Sequence, residues 1–519
     1  MSCTRAARVA LVALYVLAFP YHPGLRSPNE LARLWQTRAW AEYGTLELNR
    51  ALQDYGYVGD LSVKDGRYFS SKAPLLSAAA LPLYAALSAA GGGGRGAVAE
   101  VPLVLLARWL LTVLPTLLLL LLVRRFLARQ LPPGPLAEAL TVTYALGTLA
   151  FSYSLLFMSH QPSAVLLFTG FYALWQVGRG RWRERGYLLA GACAGASVAA
   201  EYTGALAVLA LALYAAVDAW LRPGPRRARA ARLLRGGALA LLGALPFLLG
   251  LMAYHQAAFG HPLESGYKHL ADAAYQPWHL GGFLGIRLPD PRAFALSLFS
   301  PLRGLFALSP FLLLALPGLW LLARRARGDA EARALLALSL ALGLGYAYFT
   351  ASFSYESWGW TTGPRHLTGL VPFLLLPAGL ALAWLRERGS TWAGVGAGLC
   401  AASVLVTGTL SLVNYVPDDV SNGLFALALP LLRDGYWPPS ALAFAGVPPA
   451  LAGALLLGLV LGLAGWVLWR LGLGAASLAS GLGTVALVLA LHAASARHDA
   501  ADRGALRLLE SVWLTGPGR

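Results

Sequence analysis

Apolar runs of 18 or more residues recur along this chain almost to its end, separated by short arginine clusters. No other feature constrains the fold as strongly. A run of that length spans the hydrocarbon core of a bilayer as an α-helix. Spanning strands are excluded, because the runs do not alternate and an open sheet edge leaves backbone groups unpaired in lipid. Only 13% of the residues are charged against 57% hydrophobic, where a soluble domain carries about 25% charge. The expected fold class is therefore an all-α polytopic membrane protein.

The net charge of +17 does not indicate a nucleic-acid partner. The basic residues sit in clusters between apolar runs, which is the positive-inside pattern. Arg5 and Arg8 put the N-terminus in the cytoplasm, ahead of an uncleaved first span over 9–20. The clusters at 124–129, 179–185, 222–235, 324–327 and 386–388 are then all inside, so an even number of crossings separates each from the next. Residues 75–90 read as a helix at the outer interface, because a crossing there would place Arg124 and Arg125 outside. The next span is 101–123. Parity puts outer tips at 159–162 and 201–204, in the long loop 254–303, and at 352–366. The total is about thirteen helices, with the tail outside. The organisation is a first span in 1–23, an outer loop with interfacial helices over 24–100, a core bundle over 101–412, an outer loop over 413–446, two last spans over 447–493 and a tail over 494–519.

Polar, information-rich segments thus gather on one side, and the longest is 27–74. Glu30 follows the first span closely, just ahead of a helix expected over 31–43 that carries Arg33 and Arg38. It is either a general base for an acceptor hydroxyl or an acid at a helix start capped by Asn29. Asp65-Gly66 is a turn signal inside a small hairpin over 63–69. Lys72 comes just before the interfacial helix, as a phosphate contact or a membrane anchor. Asp60, Arg67, His160, Glu201 and Tyr202 are further polar residues on this face. Arg303 and Arg365 stand at matching depth beside Pro and Gly, suited to bidentate phosphate binding. Trp358, Trp360 and His366 lie in an aromatic stretch that fits either an interface belt or a sugar ring. The three cysteines form neither a metal motif nor a disulfide framework. No cofactor loop is present and no residue set has metal-ligand spacing. A divalent metal is compatible with the chain without being called for.

Asn29-Glu30-Leu31-Ala32-Arg33, Arg38-Ala39, Gly44 and Tyr68-Phe69-Ser70-Ser71-Lys72-Ala73-Pro74 resemble the first outer loop of the GT-C membrane glycosyltransferases. The resemblance is to the aminoarabinose transferases and protein O-mannosyltransferases, glycosyltransferase family 39-like. Ser300-Pro301-Leu302-Arg303-Gly304-Leu305-Phe306 and Gly363-Pro364-Arg365-His366-Leu367 resemble an uncharacterised bacterial branch of that superfamily. That family opens the loop with an Asp-Glu pair, and Asn29 stands here in place of the first acid. The resemblance implies a GT-C-like bundle in the bacterial cytoplasmic membrane, with its active face outside. It implies inverting transfer of a sugar from a polyprenyl-phosphate donor to a lipid, glycan or protein acceptor. Glu30 would then be the base, and Lys72, Arg303, Arg365 and Arg67 would hold the phosphate. Asn29, Asp60, Asp65, His160, Glu201, Tyr202, Trp358, Trp360 and His366 would line the substrate. The competing readings are a polyprenyl-lipid transporter or flippase and an inactive envelope scaffold. A transporter calls for charges inside its spans, and Arg108 is the candidate here.

Overall fold

The computed structural model describes residues 3–22, 27–94, 96–282, 285–353 and 359–514. It is an all-α architecture whose named strands are one hairpin. Among the described residues seven helices are long and apolar enough to cross a membrane: Glu100–Gln130, Gly204–Leu221, Arg226–Phe259, Ala330–Ser352, Ser390–Val413, Pro449–Leu471 and Ala475–Ser495. Other crossings expected from the sequence fall on shorter or interrupted helices. Cys3–Leu17, His160–Gly178, Arg185–Ala200 and Val371–Glu387 are continuous. Leu136–Leu146 breaks and restarts as Leu149–Ser154, with the Thr148 hydroxyl capping Ala150 N–H at 3.2 Å. Ser390–Val413 is the most deeply buried of the seven, and Arg226–Phe259 and Ala475–Ser495 are the most peripheral. A large aromatic core, with Phe126, Phe168, Phe171, Trp175 and Phe373 in mutual contact, joins the inner helices.

The tip expected at 201–204 is the turn between Arg185–Ala200 and Gly204–Leu221. Arg185–Ala200 also packs against Arg226–Phe259 with the two backbones almost touching. A Cβ on Gly191 would lie 1.7 Å from the Ala240 carbonyl oxygen, and one on Gly243 2.1 Å from that of Leu188. Gly191 and Gly195 form a small-xxx-small stripe, which lets helices approach where lipid supplies no hydrophobic drive. Gly191→Leu should therefore separate the pair and lower the thermal midpoint in detergent by several degrees. Gly237→Leu, facing open space, should leave the midpoint in place.

Residues 27–94 fold on an apolar cluster that includes Trp35, Leu48, Val58, Leu61, Leu76 and Tyr84, with Phe157 joining from the bundle. Its first helix is Pro28–Arg38, with Pro28 at the first position and Ser27 as the preceding residue. Asn29 is thus inside the helix and is not its cap. A π-turn, Ala39–Tyr43, continues the helix to Gly44, whose φ of +65° ends it. Arg38 bonds Glu42 at 3.0 Å and the Val98 carbonyl at 2.7 Å, and stacks over Tyr55. Leu61–Lys64 and Arg67–Ser70 pair antiparallel, and Asp65-Gly66 turns the chain with both φ positive. Leu75–Ala90 packs back on the first helix, where the Thr37 hydroxyl donates to the Ser77 carbonyl at 3.0 Å.

Two features were not expected. Residues Trp109–Val113 form a π-turn inside Glu100–Gln130, directly after Arg108. Thr112 Oγ1 lies 2.6 Å from both Arg108 O and Ser154 O, tying the turn to a neighbouring helix. The tail carries a helix, Ala500–Leu514, whose Asp502 accepts from Ser421 N–H at 2.7 Å.

Candidate active site

A cavity of about 510 Å³ opens where the segment 27–74 meets the bundle. Asn29, Asp60, Lys72, Tyr267, His279, Trp360, Arg365, His366 and Asp418 are among its lining residues. Several parts of the chain, remote in sequence, build it. The helix Pro28–Arg38 contributes Asn29, the hairpin flanks contribute Asp60 and Lys72, and the turn Arg365–Gly369 contributes Arg365 and His366.

Lys72 is buried and its Nζ lies 2.8 Å from Asp60 Oδ1, with the Asp60 side chain 33% exposed toward the cavity. Asp60 adopts a φ of +59°, which a short polar side chain tolerates best. Burial opposes the ammonium of Lys72, but the charge and hydrogen bond of Asp60 together with Tyr267 outweigh burial and raise its pKa. Burial likewise opposes the Asp60 carboxylate, yet Lys72, then Arg365 and Arg33, hold it below its usual value. Both groups are therefore charged at neutral pH. Lys72 Nζ also lies 5.5 Å from the Tyr267 ring centre, a cation–π contact. His279 stacks on Tyr267 at 4.5 Å, and burial followed by the Lys72 charge lowers its pKa to about 4. It is a neutral imidazole in the cavity.

Glu30, the residue expected to be the base, is not on the cavity wall. It is buried in a bidentate pair with Arg108, Nη2–Oε2 2.7 Å and Nε–Oε1 2.9 Å, and also accepts the Phe157 N–H. The physical reason is the helix phase. Glu30 follows Asn29 by one residue and so points about 100° away from it. Arg67 and Asp65 are corrected too: both are exposed at the hairpin turn, which aims them at solvent. Arg303 lies behind the wall, paired with Asp418 and 3.3 Å from the Val416 carbonyl. Asp418 itself faces the cavity. Tyr202 is set back, its hydroxyl 2.9 Å from His255 Nε2. His160 and Glu201 lie beside His366, just outside the wall. Trp358 falls outside the described residues.

Four further residues were missed or undervalued in the sequence. Arg33 is buried, bonding the Asn29 carbonyl at 2.8 Å and Ser159 Oγ at 2.7 Å, so it fixes Asn29 in place. Tyr267, His279 and Asp418 come from loops with no local motif, and only their proximity in space marks them.

The fold and site together define a helical membrane-type bundle with a charged, aromatic cavity at one end. No protein-family model and no curated protein matches the chain. Among solved structures it is similar to ArnT from Cupriavidus metallidurans bound to undecaprenyl phosphate, at 15% identity and a TM-score of 0.46, covering 90% of this chain and 76% of that one. It is similar to the Archaeoglobus fulgidus oligosaccharyltransferase, at 14% identity and a TM-score of 0.44, covering 88% of this chain and 55% of that one. It is also similar to the arabinosyltransferase EmbB from Mycobacterium smegmatis, at 13% identity and a TM-score of 0.46, covering 95% of this chain and 40% of that one.

Proposed function

We propose that this chain is a GT-C type glycosyltransferase that moves a sugar from a polyprenyl-phosphate donor to an acceptor hydroxyl at the outer membrane face. One observation carries the reading: Asp60, Lys72 and Arg365 face a single cavity of about 510 Å³ at the edge of the bundle. A carboxylate beside two cations matches the two tasks of such a transfer. Arg365 and Lys72 bind the donor phosphate and stabilise the charge it gains as the leaving group. Asp60 takes the proton of the acceptor hydroxyl as its oxygen attacks the anomeric carbon and the bond from that carbon to the phosphate oxygen breaks. The anomeric centre inverts and polyprenyl phosphate departs with the bonding electrons.

This reading moves the base from Glu30 to Asp60. In the resting site Lys72 suppresses the basicity of Asp60. A donor phosphate competing for Lys72 withdraws that charge, so the carboxylate becomes a stronger base once donor is bound. Tyr267, His279 and Trp360 supply flat faces for the sugar ring.

The test is turnover of a radiolabelled polyprenyl-phosphate sugar by purified protein in detergent, with release of polyprenyl phosphate as readout. Lys72→Met should weaken donor binding and slow release by about 10²–10³-fold, the loss typical of one charge-stabilising group. Release at the parent rate in Lys72→Met would remove Lys72 from the donor site. Facilitated flipping of the intact donor without its cleavage would favour the transporter reading instead.

A further inference from the structure

Three side chains that sugar transfer leaves unused meet at the cavity wall, His366 on it and the other two just behind. His160 opens the helix His160–Gly178, Glu201 sits in the turn before Gly204–Leu221, and His366 lies in the turn Arg365–Gly369. One ligand atom from each falls within 4.8 Å of the others. His160 Nδ1 is 3.3 Å from Glu201 Oε2, close to the spacing of about 3.3 Å between two ligands of a tetrahedral ion with bonds near 2.0 Å. The two imidazoles meet edge to face with ring centres 5.5 Å apart.

The surroundings are those of an oriented ligand set. Ser159 Oγ donates to Glu201 Oε2 at 2.6 Å, and Arg33 donates to the same Ser159 Oγ at 2.7 Å. This outer shell fixes the carboxylate, as it does at metal sites. His160 is 6% exposed, and its Nε2 has no hydrogen-bond partner among the described residues. A buried polar atom left in that state calls for an explanation. A half-turn of the ring exchanges Nδ1 with Cδ2 and Nε2 with Cε1, which brings Nε2 round to the side that Nδ1 now faces. The charges of Arg365 and Lys72 reach the cluster and oppose a dication, while Glu201 offsets part of that field.

We propose that His160, Glu201 and His366 hold a divalent ion of the zinc class. Two imidazoles and one carboxylate are the donor set such an ion favours, and three protein ligands leave a fourth position for water or a substrate oxygen. Because His366 also lines the cavity, the ion sits at the wall of the donor site and fastens three chain tips distant in sequence. Its added positive charge favours an anionic ligand in the cavity.

The test is titration of the chelator-treated full-length protein with zinc chloride alone, in a Cys3→Ser background because the Cys3 thiol is exposed. One equivalent should bind, and His160→Ala and His366→Ala should each weaken binding by at least about 10-fold. His498→Ala, an exposed histidine in the tail, should bind as the parent does. Cobalt titration of the unmutated site gives a second readout that needs no variant: intense visible bands of a four-coordinate ion are expected. Absence of saturable zinc binding, parent-like binding by both His variants, or a six-coordinate cobalt spectrum would each overturn the proposal. None of these readouts requires sugar transfer, so the ion site is tested apart from the enzymatic reading.

Discussion

Asp60→Asn lowers sugar transfer by roughly 10²–10⁴-fold, the range set by loss of a general base, while donor binding holds or tightens. The amide is nearly isosteric with the carboxylate but cannot accept the acceptor's proton. Its removal also frees Lys72, whose ammonium is buried and faces Asp60 at 2.8 Å. That charge then pairs with a donor phosphate without competition. The expected signature is a split, with kcat falling and KM for donor unchanged or lower. Equal losses in binding and turnover would mean that Asp60 only positions Lys72. Unchanged turnover would return the search for a base to Asp418 and Asp272, the other carboxylates on the same wall.

Arg108→Ala costs stability, and the effect is large. It leaves Glu30 buried with neither of its two guanidinium bonds, and breaking a buried pair from one side costs about 3–5 kcal/mol. The expected result is a thermal midpoint in detergent lowered by many degrees or loss of folded protein. Replacing both partners, as Glu30→Met with Arg108→Met, should recover much of the loss, because well-packed apolar groups of similar volume often match a buried pair. Glu30→Gln gives the sharpest discrimination between brace and base. As a brace, it lowers the thermal midpoint and leaves the folded fraction active. Abolished transfer at an unchanged midpoint would restore Glu30 as the base.

The parts of the site legible in the sequence are those whose signals are local. Asp65-Gly66 announced its turn because positive φ at both positions suits those residues. Charge parity between arginine clusters placed Glu201 at a hairpin tip and grouped it with His160 and His366, since each short span reverses the chain. Lys72 stood out as a lone cation before an apolar helix. The rest depends on contacts remote in sequence. Glu30 and Arg108 are 78 residues apart, and nothing beside either one reveals the other. Arg108 was visible only as a charge inside a span, and such a charge fits a transport pathway and a structural pair equally well. The one-residue step from Asn29 to Glu30 decides which of them sees the cavity, and helix phase relative to a distant partner is not written in the helix itself. Tyr267 and His279 belong to a long connection, 260–290, whose composition singles out neither residue.

The π-turn after Arg108 makes the length of that helix as consequential as its chemistry. A π-turn accommodates one residue more than the α-helical path around it. Deleting any one of residues 109–113 would let the α-helix run straight through with Arg108 still in phase with the segment beyond, whereas deleting one residue from the regular α-helix that follows, Leu114–Gln130, would turn Arg108 by about 100° relative to the far end. In that second case the guanidinium would leave Glu30 although both residues remained. Among relatives of this chain, a one-residue gap is therefore cheap at 109–113, whereas elsewhere in the helix it has to be matched by a compensating insertion before residues 27–94 can dock.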